Sequence, residues 1–168
     1  MKKPFSARVI GAWLLPLAVM CMIFCFSAQD GDESATLSNG FILTILGWLQ
    51  NAIPHWRSMT QTEFITMLSP FIRKGAHVTE YLILFLSLMP LLKLYRLTCR
   101  PFVALGITFL YACSDEFHQR FIPGRCGCFR DVLIDCSGAL ALTLLFLFIL
   151  YVKHSRQILR NITEQETE

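Results

Sequence analysis

Six polar side chains lie within eleven positions in the stretch SDEFHQRFIPGR, directly after the apolar stretch PFVALGITFLYAC. They are Asp115, Glu116, His118, Gln119, Arg120 and Arg125. Arginine makes bidentate contacts with phosphate or carboxylate, so Arg120 and Arg125, with Gln119, are candidates for binding an anion. Alternatively, His118 could act as a general base or nucleophile that Asp115 or Glu116 orients. The sequence therefore predicts a polar site at the mouth of a membrane segment.

A second cluster, RKGAHVTEY, opens an earlier apolar segment and adds candidates of the same two kinds. Arg73, His77 and Glu80 follow one another at steps of four and three residues, which places them on one face of a helix. Arg73 and Lys74 are further candidates for anion binding, and His77 and Glu80 are further candidates for acid–base catalysis. The i, i+3 pairs in HVTE and DEFH also occur in metal sites of helical bundles. The cations around them disfavour a divalent ion, and we predict neither a metal nor another cofactor; these cations are Arg73, Lys74, Arg120 and Arg125.

Two further polar groups, in FSAQD and RDVLIDCSG, flank the first and the last apolar segments. Ionisable groups inside a membrane segment, such as Glu80 and Asp135, cost free energy unless they face a bundle interior and find partners. We therefore expect the four clusters to meet in one pocket that opens outward. The residues expected to support it are Ser27, Gln29, Tyr81, Asp131 and Asp135. The alternative role of the charged residues is to hold the helices together as ion pairs, such as Glu80 with Arg73 or Arg125.

Composition places the chain among integral membrane proteins of the all-α class. Of its 168 residues 54% are apolar and 16% are charged, whereas soluble domains are about 45–50% apolar and about 25% charged. The net charge of +3 comes from scattered basic residues, which excludes a nucleic-acid-binding stripe. The odd count of seven cysteines argues against a disulfide framework, and Cys126-Gly-Cys128 alone is a weak signal for zinc.

Four apolar segments approach the roughly 20 residues that a membrane-spanning helix needs. They cover residues 9–26, 75–92, 101–114, which the helical stretch DEFHQ extends, and 132–152. They predict one transmembrane domain over residues 8–152 and a cytoplasmic tail over residues 153–168. In the long connection after the first span, apolar residues recur at helical spacing between Phe41 and Ile53. We predict an interfacial amphipathic helix there, in the first outer loop, and a second such piece in EFITMLSPFIR.

The positive-inside rule does not determine the number of spans. Nine of the fifteen Lys and Arg residues are on the inner side with four spans, and nine are also there if residues 37–53 span the membrane. Segment length favours four spans. The prediction is a multi-pass protein of the plasma membrane with both termini in the cytoplasm.

These motifs resemble the VanZ-like membrane protein family. The matching strings are FSAQ, RKGAHVTEYLIL, SDEFHQRFIPGR and DVLIDCSGAL, and their order and spacing agree from about residue 8 to 150. The resemblance implies four spans, and it marks as motif residues Arg73, Lys74, His77, Glu80, Tyr81, Asp115, Glu116, Gln119, Pro123, Gly124, Arg125, Asp131 and Asp135. The founding member is associated with low-level resistance to teicoplanin, and most members have no assigned activity. The CGCF insertion after Arg125 departs from the family pattern.

Two functions are compatible with these residues. The first is a non-enzymatic envelope factor whose outer pocket binds an anionic lipid-linked or wall-polymer group and lowers susceptibility to teicoplanin-type glycopeptides. The second is an intramembrane hydrolase or transferase that acts on a lipid phosphate or a lipid-linked cell-wall intermediate. In both cases the expected partner is a membrane lipid or a lipid-linked cell-wall precursor, no nucleic acid is expected, and a homo-oligomer is compatible with the sequence.

Overall fold

The computed structural model describes residues 7–53 and 60–166, and every regular element in these two segments is a helix. The helices are α1 (Ala7–Ser27), α2 (Gly31–Ala52), α3 (Gln61–Leu94), α4 (Arg100–Gln119), α5 (Phe129–Asp135) and α6 (Ser137–Glu166). The predicted all-α class is therefore confirmed for the described residues. Among them, three helices are long and apolar enough to cross a membrane, and they are Val9–Ser27, Gln61–Leu94 and Ser137–Ile158.

The longest helix, α3, lies at the centre of the bundle. A capping box starts it, because the Thr60 backbone N–H donates to Glu63 and the Glu63 backbone N–H donates to the Thr60 hydroxyl. Its 34 residues extend over roughly 51 Å at about 1.5 Å per residue, which exceeds a hydrocarbon core of about 30 Å. The sequence predicted an interfacial piece followed by a separate span over residues 75–92. The structure joins these two pieces in one continuous helix, which passes through Pro70.

Helix α2 packs against the first third of α3. Ile42 and Leu46, one turn apart, are buried against Phe64 of α3. The helix is longer than predicted from the apolar spacing, since the polar stretch GDESATLSNG is also helical. Its first backbone N–H, that of Gly31, donates to the Pro123 carbonyl at 3.2 Å, so the start of α2 is anchored to the connection between α4 and α5.

The core of the bundle lies where α3 meets α1, α4 and α6. One face of α3 supplies buried large side chains, and α4 and α6 supply small ones that let the helices approach closely. The buried side chains include Tyr81, Leu84, Phe85 and Leu88 from α3, Val19 and Ile23 from α1, Ala104 and Ala112 from α4, and Ala139 from α6. At the start of α6 a methyl group on Gly138 would stand 3.2 Å from Val78, so this contact also requires a small residue.

The last predicted span, residues 132–152, is divided between two helices. Cys136 interrupts the helix, so α5 ends at Asp135 and the apolar span of α6 begins at Ser137. Helix α6 then continues to Glu166, and most of the predicted tail is therefore helical. Large apolar side chains on α1 and α6, such as Leu14, Phe24, Leu144 and Phe148, are more than half exposed, as a lipid-facing surface requires.

Candidate functional site

The polar clusters meet where α1 ends, α2 begins and α3 passes the connection between α4 and α5. Two neighbouring cavities open there, and they share the side chains of Arg73, His77 and Arg125. We call these three residues the divider. The two arginines come from different parts of the chain, one from α3 and one from the connection, so tertiary packing brings them together.

The first cavity, which we call the α1 lobe, has a volume of about 190 Å³. Besides the divider it is lined by Phe26, Gln29, Ser38, Ala76 and Glu80. The second cavity, which we call the α5 lobe, has a volume of about 350 Å³. Besides the divider it is lined by Pro70, Lys74, Gln119, Gly124, Cys126 and Asp131. The second volume is within the range of about 300–1,000 Å³ that is usual for small-molecule sites.

A tight turn at Gly124 places Arg125 between the lobes. Gly124 has a φ of +72°, which disfavours a residue with a side chain. The turn lies against the start of α2, where a methyl group on Gly31 would stand 2.8 Å from the Gly124 carbonyl oxygen. Two backbones can approach so closely only because both positions are glycine.

The Arg125 guanidinium is only partly satisfied by the protein. Its Nη2 donates to the Phe26 carbonyl at 3.2 Å, whereas its buried Nε has no hydrogen-bond partner. Burial, and then the charge of Arg73, lowers the pKa of Arg125. The Arg125 side chain nevertheless remains cationic, because the ordinary arginine pKa is so high.

Among the described residues, the close contacts between basic and acidic side chains of the site involve Lys74, as an ion pair, and His77, whose contact is an ion pair only when the imidazole is protonated; neither arginine of the divider takes part. Lys74 Nζ lies 2.6 Å from Asp131 Oδ2, and His77 Nδ1 lies 3.6 Å from Glu80 Oε2. No described carboxylate is within 4.0 Å of Arg73 or Arg125. The ion pairs of Glu80 with Arg73 or Arg125, which the sequence offered as an alternative, are not formed.

Below the cavities, a buried hydrogen-bond network joins three helices. Tyr81 donates to Asp115 Oδ2 at 2.8 Å. Gln119 Nε2 donates to the same oxygen at 3.0 Å and to the Ser27 hydroxyl at 2.8 Å. These four side chains are almost fully buried, so the network fixes the ends of α1 and α4 against α3.

A second set of contacts holds the connection to α4. Cys128 N–H donates to Glu116 Oε2 at 2.9 Å, and Arg120 Nε donates to the Gly127 carbonyl at 3.3 Å. A methyl group on Gly127 would overlap the Glu116 carbonyl oxygen. Glu116 and Arg120 therefore position the connection, and Arg120 lines neither lobe, although the sequence made it a candidate for anion binding.

Two other candidates lie outside the cavities. His118 stacks on Phe24 of α1 with ring centroids 4.9 Å apart and lines neither lobe. Asp135 is only 1% exposed, and neither of its carboxylate oxygens has a hydrogen-bond partner. Burial raises the pKa of Asp135 to about 7. The nearby carboxylates also raise this pKa, and the positive charge of Lys74 lowers it by less than burial and the carboxylates together raise it.

The sequence did not identify Ser38, Ala76 or Gly127 as residues of the site. Ser38 lies in a stretch that was assigned to a loop, and the other two have no functional group in their side chains. The i, i+3 spacing of Ala76 after Arg73 could have indicated Ala76, and the glycine-rich turn could have indicated Gly127. No sequence signal indicated Ser38. Within the described part of the chain, no group of three His, Cys, Asp or Glu side chains could hold a metal ion.

Comparison with known proteins gives the family of this chain. No curated protein and no solved structure matches it. The model of the VanZ/LLP1 family matches residues 12–151, a range that includes every residue of both lobes and confirms the resemblance in the motifs. The chain therefore belongs to the VanZ/LLP1 family.

Proposed function

We propose that this protein is an integral membrane protein of the bacterial cell envelope that binds an anionic group of a lipid or a lipid-linked wall polymer. The anion occupies the divider, between Arg73 and Arg125. Lys74 contributes positive potential from the neighbouring wall, and Gln119 positions the floor of the pocket through its contacts with Ser27 and Asp115.

The observation that carries this proposal is that two guanidinium groups line one site and that, among the described residues, no carboxylate lies within 4.0 Å of either of them. Cations that are removed from water are costly unless they are paired. Like charges placed together add to this cost. An anion held between them would remove both costs, and the planar forks would allow bidentate contacts.

The surroundings of the pocket favour a ligand that comes from the bilayer. Three exposed phenylalanines lie at or near the pocket. Phe26 lines it, and Phe71 and Phe121 each lie within two residues of a lining residue along the chain. Their exposed fractions are 43%, 70% and 70%, respectively. Exposed apolar residues at this density mark a surface that lipid or another protein covers. The mouth therefore opens at the level of lipid headgroups, where phosphate groups are concentrated.

The corresponding topology has four spans with both termini in the cytoplasm. Three are in α1, α3 and α6, the described helices that are long and apolar enough to cross a membrane, and the fourth is in α4, which does not meet that criterion. Helix α2 lies in the headgroup layer, with Trp48 (78% exposed) directed to the lipid. In this arrangement Cys126 and Cys128 face outward. A membrane-impermeant maleimide should label intact cells that express a variant with only these two cysteines. Labelling that requires opened cells would reverse the orientation of the pocket.

A consequence of this function is reduced susceptibility to teicoplanin-type glycopeptides. Expression in a susceptible Gram-positive strain should raise the teicoplanin concentration that stops growth, with a smaller effect on vancomycin, which lacks a lipid tail. Arg125→Lys keeps the charge but loses the planar fork and should weaken the protection, whereas Arg125→Ala should abolish it at an equal level of protein in the membrane. Full protection by Arg125→Ala would refute the proposal.

A second candidate function, an intramembrane hydrolase or transferase acting on a lipid phosphate, is favoured by one observation. His77 lines both lobes beside Arg125, and its Nδ1 has no hydrogen-bond partner, so it is available as a general base. The two functions differ in the effect of His77→Gln. Release of phosphate or of a headgroup by the parent but not by this variant, with binding retained, would establish the enzyme.

A further inference from the structure

The pocket extends in two directions from its anion-binding centre. Arg73 and Arg125 line both lobes, so a group bound between them faces about 190 Å³ of open space on one side and about 350 Å³ on the other. A phosphate with a single substituent would leave one of these spaces unused. The shape therefore favours an anion that carries a substituent on each side.

The charges of the pocket favour a single phosphate. Lys74 is already paired with Asp131 at 2.6 Å, so within the described residues the α5 lobe has no unpaired cation outside the divider for a second phosphate. The α1 lobe contains the carboxyl group of Glu80, which also disfavours another anion. The two unpaired guanidinium groups are both in the divider.

The two lobes differ in chemical character. The Lys74–Asp131 pair lies in the α5 lobe and presents N–H donors and a carboxylate acceptor side by side, a combination that binds hydroxyl groups in both directions. In the α1 lobe, Phe26 and Ala76 are exposed, and they connect the lobe with the apolar outer surfaces of α1 and α3. A polar substituent therefore suits the α5 lobe, and an apolar one suits the α1 lobe.

We infer that the ligand is a phosphodiester whose phosphate lies between Arg73 and Arg125, with a hydroxyl-bearing headgroup in the α5 lobe and a lipid-bearing substituent in the α1 lobe. This inference rests on the proposed function, and it names the chemical class of the ligand. A phosphate monoester carries more charge at neutral pH but has nothing to place in the α5 lobe.

The test compares two lipids with the same acyl chains at pH 7.5, the diester phosphatidylglycerol and the monoester phosphatidic acid, binding to the purified full-length protein in detergent. We expect phosphatidylglycerol to bind about tenfold more tightly or better, the effect of one hydrogen bond to a charged group. Asp131→Asn replaces the anionic acceptor of the headgroup hydroxyl with a neutral amide, which is a weaker acceptor, and releases Lys74, so the preference should narrow to about twofold or reverse. Gln165→Lys, at an exposed position on α6, makes the same change in net charge as Asp131→Asn. This variant is the matched control and should leave the preference unchanged.

The outcomes separate the inference from the proposed function. If phosphatidic acid binds as tightly as phosphatidylglycerol to the parent, or if Asp131→Asn leaves the preference unchanged, while Arg125→Ala abolishes binding of both lipids, the two-sided ligand is wrong and the anion site remains. If neither lipid binds, or if Arg125→Ala binds both like the parent, the proposed function fails as well.

A variant of the α1 lobe tests where the lipid substituent lies and whether the ligand comes from the bilayer or from water. Ala76→Trp should fill this lobe while both arginines of the divider remain in place. Binding of both lipids should then fall about tenfold or more, while binding of the soluble diester glycerophosphoglycerol, which has no acyl chains, should stay within about twofold. Equal losses for all three ligands would overturn the assignment of the lobes, and tighter binding of the soluble diester than of the lipids to the parent would assign the site to a soluble ligand.

Discussion

Replacement of Asp135 by asparagine should stabilise the protein above neutral pH. The Asp135 carboxyl group is 1% exposed, has no hydrogen-bond partner, and has a pKa of about 7 against an ordinary value of 3.8. Between these two values the folded chain holds a proton that the unfolded chain lacks, so stability falls as the pH rises through this window. Above pH 7 the folded protein bears the full free-energy cost of burying the ionised Asp135 carboxylate. Asparagine has the same shape and never ionises.

The magnitude follows from the two pKa values. A difference of about three pH units corresponds to a contribution on the order of 4 kcal/mol to the free energy of unfolding, at 1.36 kcal/mol for each unit. Asp135→Asn should therefore unfold like the parent near pH 4 and be more stable by up to this amount at pH 8. Most of the fall in the parent's stability between these pH values should disappear.

The free energy of unfolding is measured in detergent by titration with sodium dodecyl sulfate, followed by circular dichroism. Measurements at pH 4.5 and pH 8 give the stability of each protein and its change with pH. Asp131→Asn is the control, because the Asp131 carboxylate has a cationic partner in Lys74 at 2.6 Å and its loss should not stabilise the protein at pH 8. The reasoning is refuted if Asp135→Asn keeps the pH dependence of the parent, or if it is the less stable of the two at pH 8.

Three further substitutions test the contacts that position the site, each measured as the free energy of unfolding in detergent. Gly127→Ala should cost about 1–3 kcal/mol or more, because its methyl group would overlap a backbone carbonyl of α4. Gly124→Ala should cost about 1–2 kcal/mol because its φ is +72°, whereas Gly106→Ala, with no atom within 4 Å of the new methyl group, should be neutral or stabilising. Tyr81→Phe should cost about 1–3 kcal/mol, since the buried Asp115 loses the hydroxyl that donates to it. Equal stabilities of Gly127→Ala and Gly106→Ala, or a Tyr81→Phe variant as stable as the parent, would contradict these contacts.

The features that the sequence predicted well depend on local periodicity. Arg73, His77 and Glu80 line the α1 lobe together because three- and four-residue steps place side chains on one face of a helix. The extent of α4 was close to the prediction for the same reason. The Pro-Gly turn also has a local signature, since a positive φ is readily adopted only by glycine.

The features that the sequence could not predict depend on contacts between distant segments. The stretch before Phe41 is polar and was assigned to a loop, but it is helical, with its first residue anchored to Pro123. The piece EFITMLSPFIR and the second span were predicted separately, and they form one continuous helix, α3, against whose first third α2 packs. Arg120 and His118 were grouped with the anion-binding and catalytic residues because of their neighbours in sequence. In the structure, Arg120 contacts the Gly127 carbonyl and His118 stacks on Phe24.

The most direct test of the anion site is equilibrium binding of phosphatidylglycerol to the purified protein in detergent, compared with binding of phosphatidylcholine. The account predicts binding that requires the anionic lipid, weakens about tenfold in Arg125→Lys, and is lost in both Arg73→Ala and Arg125→Ala, while circular dichroism shows that each variant remains folded. Loss of one fork removes a bidentate contact with the phosphate. Binding by the folded Arg73→Ala and Arg125→Ala variants with the affinity of the parent would contradict it.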